Sequence, residues 1–161
     1  MAKFIDFPTV YGRIGLQPGE LTAEQAIGLF NAGMATPAGG KLAEYWPDTG
    51  RSTALLGAVA KNLEGELTVY TTFERGSANE YWFNRTVKTH KLQPVLALNP
   101  VGNEAVDMVV VRGEFIKAAE AVADLQAKRL FVLGAAPAAL AGWEQKEAGA
   151  GYSVWVRHEG D

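Results

Sequence analysis

The spacing of hydrophobic positions changes character near residue 41. Before it, apolar residues are scattered among Pro8, Pro18, Pro37 and several glycines. This stretch reads as irregular chain with one helix inside it. Thr22 followed by Gln25 has the spacing of a capping box. Ala26, Ile27, Leu29 and Phe30 then supply an apolar face, and Gly33 offers a stop. Residues 1–40 therefore read as an N-terminal extension whose helix packs outside the main sheet.

Beyond residue 41, short apolar or β-branched runs alternate with helical ones. The predicted strands are Lys41–Trp46, Leu67–Phe73, Pro94–Leu98, Met108–Arg112, Leu130–Leu133 and Tyr152–Arg157. A helix is predicted over Ser52–Asn62, from the period of Leu55, Leu56, Ala58 and Val59, with Ser52 or Thr53 as its cap. Another is predicted over Ser77–Leu92, with Tyr81, Trp82, Phe83 and Val87 as packing residues. Phe115–Lys128 and Ala138–Lys146 complete the helical set. Strand–helix alternation of this kind argues for a parallel sheet with helices on both faces. Met108-Val109-Val110-Val111 and Leu130-Phe131-Val132-Leu133 have the continuous apolar character of strands buried on both sides. The first and fourth strands are expected to be parallel neighbours.

Composition narrows the function classes. The chain has 161 residues, 48% of them hydrophobic and 20% charged, which suits one globular unit with a sizeable core. The absence of cysteine excludes disulfides, thiolate metal sites and cysteine nucleophiles. A net charge of -3 argues against nucleic acid as a partner. The uncharged stretch Leu130–Trp143 is too short for a membrane span and is broken by Gly134 and Pro137. A cytoplasmic protein with no membrane partner is expected.

Familiar catalytic motifs are missing. Gly39-Gly40-Lys41-Leu42 lacks a hydroxyl residue after the lysine and leads into a strand, so it is not a phosphate-binding loop. No Gly-x-Gly-x-x-Gly follows a strand, and there is no Gly-x-Ser-x-Gly elbow. His90 and His158 read as solvated surface residues, and no metal is expected. What remains is Pro47-Asp48-Thr49-Gly50-Arg51-Ser52-Thr53, where the first strand turns into a helix. Free backbone N–H groups at such a start suit an anionic ligand group.

These segments resemble the class I S-adenosylmethionine-dependent methyltransferases, in particular a small bacterial branch, over roughly Leu16–Gly134. Lys41-Leu42-Ala43-Glu44 resembles the first strand with its terminal acid, and Gly50-Arg51-Ser52-Thr53 the turn that follows. Gly65-Glu66-Leu67-Thr68-Val69-Tyr70-Thr71 resembles the second strand. Asp107-Met108-Val109-Val110-Val111-Arg112-Gly113 resembles the fourth. The resemblance implies an α/β fold, a Rossmann-like three-layer α/β/α sandwich with a mostly parallel sheet. It also implies S-adenosylmethionine over the first turn and a carboxylate at the end of the second strand for the ribose. Here Trp46 stands where the first glycine belongs, and Phe73 where the carboxylate belongs, with Glu74 one residue late. Arg112 and Phe115 replace the Asp and His that many members carry after the fourth strand. The family usually ends in an antiparallel hairpin. With one clear strand at this end, the C-terminal part reads as shortened.

The candidate cofactor-contacting residues are therefore Glu44, Trp46, Asp48, Gly50, Ser52, Glu74 and Arg112. Trp46 is a stacking platform or a plug in the adenosine space. Glu44, Asp48, Arg112 and Glu114 are expected to gather where the strand order reverses. Arg112 there either clamps an anion or pairs with Glu44 or Asp48 and closes the pocket. Three functions follow. The first is a methyltransferase-like protein with a degenerate cofactor site, passing a methyl group from S-adenosylmethionine to a small acceptor if that site works. The second is a non-enzymatic homo-oligomeric binding or assembly module. The third is a binder of a different nucleotide or an anionic small molecule in the switch-point crevice. A bare strand edge or an apolar helix face at the shortened end would favour a homodimer, with the C-terminal strand or the Ala138–Trp143 helix near its interface.

Overall fold

The computed structural model describes residues 4–15, 17, 19–45, 47–71, 73–99, 105–113, 127–135 and 137–157. Its first element, α1 (Phe7–Ile14), lies in the stretch the sequence left irregular. Pro8 is compatible with a helix here because it sits in the first turn, where its missing N–H costs nothing. Asp6 caps the helix by accepting a hydrogen bond from the Thr9 amide. The helix expected after Thr22 is α2 (Ala23–Met34), and both bonds of its capping box form.

The strand–helix core follows as β1 (Lys41–Tyr45), α3 (Arg51–Leu63), β2 (Glu66–Tyr70), α4 (Ala78–Thr89) and β3 (Leu96–Leu98). Then come β4 (Val106–Arg112), β5 (Ala127–Leu133), β6 (Trp143–Gly149) and β7 (Tyr152–Arg157). The helix expected over Phe115–Lys128 falls mostly outside the described residues. Its last two positions, Ala127 and Lys128, belong instead to β5. All seven strands form one sheet in the order β3-β2-β1-β4-β5-β7-β6. The first five strands pair in parallel, with β1 and β4 adjacent as expected. The order therefore reverses at the carboxyl ends of β1 and β4, the position where open α/β sheets leave a crevice.

The C-terminal end differs from the sequence reading. Residues Trp143–Gly149 are a strand, not the end of a helix, so an antiparallel β6–β7 hairpin is present and this end is not shortened. The turn is two residues, Ala150 and Gly151, and Gly151 supplies φ 80°. Trp143 anchors the otherwise exposed β6 strand, with the Arg157 guanidinium 4.6 Å from its ring centre. Because β7 lies between β5 and β6, it is no bare edge, and that ground for a homodimer disappears.

Alternation along the strands divides the core in two. Leu42, Leu67, Val69, Met108, Val110, Phe131 and Leu133 face α1, α2, α3 and Phe83 of α4. Ala43, Tyr45, Val109, Val111, Leu130, Val132 and Trp155 form the other layer, together with Leu140 and Trp143. Tyr81 of α4 points away from the core and is exposed, so the packing side of that helix is set by Phe83 and Thr86.

Candidate functional site

Glu44 sits one residue before the end of β1, on the face that α3 covers. It is buried, and its carboxylate accepts hydrogen bonds from both hydroxyls of the first turn of α3. Ser52 donates at 2.5 Å, and Thr53 donates to the other oxygen. These hydroxyls thus serve β1 and do not cap the helix as expected. The N-cap is Gly50, at φ 93° and with no side-chain bond to give. A Cβ at Gly50 would also come within 3.1 Å of Thr86. Burial pushes the Glu44 carboxyl above the usual carboxylate range, against the two hydroxyl bonds and the attraction of Arg112.

Arg112 closes β4 and Arg51 opens α3, and both line a cleft of about 750 Å³. Its floor is the carboxyl ends of β4 and β5, through Arg112, Gly113, Leu133, Gly134 and Ala135. Its opposite wall is the α1–α2 connection and first turn of α2, including Glu20, Leu21, Thr22 and Gln25. The Nε atoms of Arg51 and Arg112 are both buried and, among the described residues, without a hydrogen-bond partner. Arg51 makes one long bond, 3.4 Å, from a terminal nitrogen to the Gly19 carbonyl. Among the described residues, Arg112 forms no ion pair with Glu44 or Asp48.

The remaining candidates divide as follows. Asp48 is half-buried in the β1–α3 loop and Glu74 is exposed in the β2–α4 loop; neither lines the cleft. Trp46, Glu114, Phe115 and His158 lie outside the described residues. His90 is not a solvated residue. It is half-buried at the C-cap of α4, its Nε2 lies 3.2 Å from the Gln17 side-chain oxygen, and burial, Arg13 and Lys61 lower its pKa.

Sequence reasoning missed the pair at the carboxyl ends of β1 and β2. The second strand ends at Tyr70, not Phe73. Tyr45 and Tyr70 are in register on neighbouring strands, and their rings stack at 4.5 Å and 5°. Burial, then the neighbouring Tyr70, raises the Tyr45 phenol well above its usual pKa. Phe73 packs instead on Phe83, 5.3 Å away. The available signal was the tyrosine closing each apolar run, Leu42-Ala43-Glu44-Tyr45 and Leu67-Thr68-Val69-Tyr70.

No known family model matches the chain, and no curated protein matches its sequence. Solved structures do match. A cofactor-bound protein from MTB, Rv0187, aligns over 95% of this chain and 88% of its own, with TM-score 0.65 and 13% identity. A putative O-methyltransferase from Klebsiella pneumoniae aligns over 92% and 86%, with TM-score 0.62 and 12% identity. The O-methyltransferase TomG from Streptomyces achromogenes, in complex with SAM, aligns over 92% and 86%, with TM-score 0.60 and 15% identity. At such identities the likeness is one of fold. The chain has the mixed α/β, Rossmann-like architecture of the class I methyltransferases, mostly parallel strands flanked by helices.

Among the described residues, those at the carboxyl end of β2 fit the ribose of S-adenosylmethionine poorly. The second strand ends in a stacked phenol, and the nearest following acid, Glu74, faces solvent. Among the described residues, no three His, Asp or Glu side chains come together in a way that could hold a metal ion. No described helix is long and apolar enough to cross a membrane.

Proposed function

We propose that this protein uses a methyltransferase fold as a scaffold for a small-molecule site, and that S-adenosylmethionine binds weakly or not at all. The observation that carries the reading is the Tyr45–Tyr70 stack at the carboxyl ends of β1 and β2. A ribose diol held by a carboxylate makes a pair of charge-assisted hydrogen bonds. Losing them costs on the order of 3 kcal/mol, about a hundredfold in affinity. Isothermal titration of the full chain with S-adenosylmethionine and S-adenosylhomocysteine tests this, with no binding expected in the low-micromolar range. Low-micromolar binding of either would overturn the reading. Tyr70→Asp is expected to strengthen whatever affinity remains, by about tenfold or more, if the missing carboxylate is the main defect.

A second reading, methyl transfer to a small acceptor, is supported by the acid at the end of β1. Glu44 keeps its place under the first turn of α3 and is bonded there by Ser52 and Thr53. The same titration separates the two readings.

A further inference from the structure

We propose that the cleft at the carboxyl ends of β4 and β5 binds a small molecule bearing an oxyanion, a carboxylate or a phosphate, seated between Arg51 and Arg112. The inference rests on the scaffold reading above and names the ligand class for it.

Two guanidiniums reach this cleft from different elements, one from the start of α3 and one from the end of β4. In each, the Nε has no acceptor among the described residues and is closed to solvent as the side chain stands, so an anion in the cleft engages it as the guanidinium turns toward the cleft. A planar guanidinium offers five N–H donors and no acceptor of its own. A bound carboxylate or phosphate supplies acceptors in the geometry this fork prefers.

Among the described residues there is little counter-charge. Glu44 is near enough to attract Arg112, but its two oxygens accept from Ser52 and Thr53, and no ion pair joins them. Glu20 is on the opposite wall, exposed, and pairs with neither arginine. The side chains of Thr22 and Gln25 are occupied by the capping box, and Gln25 also bonds the Gly151 carbonyl at 2.8 Å. The charged contact therefore falls to the two arginines.

Size and lining restrict the rest of the ligand. About 750 Å³ suits a metabolite-sized molecule. Leu21, Leu133 and Ala135 give it an apolar side, so a compact body with one anionic end fits better than a highly charged polyanion.

The test uses the full chain with inorganic phosphate and with succinate, each against chloride at matched ionic strength. Concentrations of about 10 mM exceed the roughly millimolar Kd expected of such fragments. Nε–H resonances of Arg51 and Arg112 are followed by NMR, and Tm is read alongside. At least one anion is expected to shift both resonances and raise Tm. Arg51→Gln and Arg112→Gln should each weaken binding by about tenfold. Arg85→Gln, on the exposed side of α4, should leave it unchanged. A response to phosphate alone assigns a phosphorylated ligand, and one to succinate alone a carboxylate.

If neither anion moves the two resonances, the proposal is overturned. It is equally overturned if Arg85→Gln weakens binding as much as Arg112→Gln does. The wild-type resonances decide the matter even if an arginine variant does not fold. Tight S-adenosylmethionine binding with the anion response intact would remove the altered-cofactor reading and leave the clamp. Silence toward both would do the reverse.

Discussion

Glu44 is held by competing effects of unequal size. Burial favours its neutral form more than two hydroxyl donors and a nearby guanidinium favour its charged one. A carboxyl with a raised folded pKa takes up a proton on folding. Its stabilising contribution is complete below the ordinary value of 4.5 and is lost as pH rises through the folded value. Glu44→Gln keeps the shape and removes the titration. The unfolding free energy of the wild type, relative to this variant, should fall as pH rises above the ordinary value of 4.5 and level off once the folded carboxyl has ionised, by at most about 1.4 kcal/mol per pH unit. Urea unfolding at several pH values measures it. A difference that stays flat would show that Glu44 is charged in the folded state. At this scale the sequence was informative where one residue stood out from its run. Glu44 and Arg112 were visible as charges ending apolar strands. Arg51 and Tyr70 were not, because their significance comes from neighbours across the crevice or the sheet, which spacing along one chain does not contain.

Elements were legible where period and caps agreed. The Thr22 capping box and the apolar face behind it foretold α2, and the valine run foretold β4. The polar strand β6 was hidden because Trp-Glu-Gln-Lys-Glu-Ala-Gly is built largely of helix formers. Its pairing with β7 and the anchoring of Trp143 override that propensity. The docking of α2 on the sheet is equally a matter of contact. Gly28 faces Tyr152 of β7, whose ring stacks on Phe131 at 5.2 Å. A Cβ at Gly28 would come within 2.5 Å of that ring. Gly28→Ala should therefore destabilise the protein by about 1–3 kcal/mol, despite the better helix propensity of alanine. Denaturant midpoints check this. Combining it with Tyr152→Ala should cost less than the two single changes added together, because the clash is then gone.

For the molecule as a whole, the first two helices belong to the core. Val10, Ile14, Leu21, Leu29 and Phe30 share one apolar cluster with Leu55, Val59 and Val154. Burying side chains of this kind contributes on the order of 10 kcal/mol, comparable to the net stability of an entire domain. Removing residues 1–35 should abolish cooperative unfolding, leaving a chain with retained far-UV dichroism and exposed apolar surface. Calorimetry and dye binding would register this. A truncated chain that still melts in a single sharp transition would show that the strands and α3 can close a core without α1 and α2. The same helices form one wall of the arginine-lined cleft, so the segment that completes the core also completes the site.

The strand order has a consequence for how the chain comes off the ribosome. In the finished sheet β6 lies outside β7, yet it is made first. Until Tyr152–Arg157 has emerged, β6 has no partner to pair with, and the flank of β5 stays open. A nascent chain halted in the turn at Ala150 would carry every other strand and still present an unsatisfied row of backbone groups along β5. The strand of this sheet that is made after the other six thus covers an adhesive edge as it enters, and brings β6 into place with it.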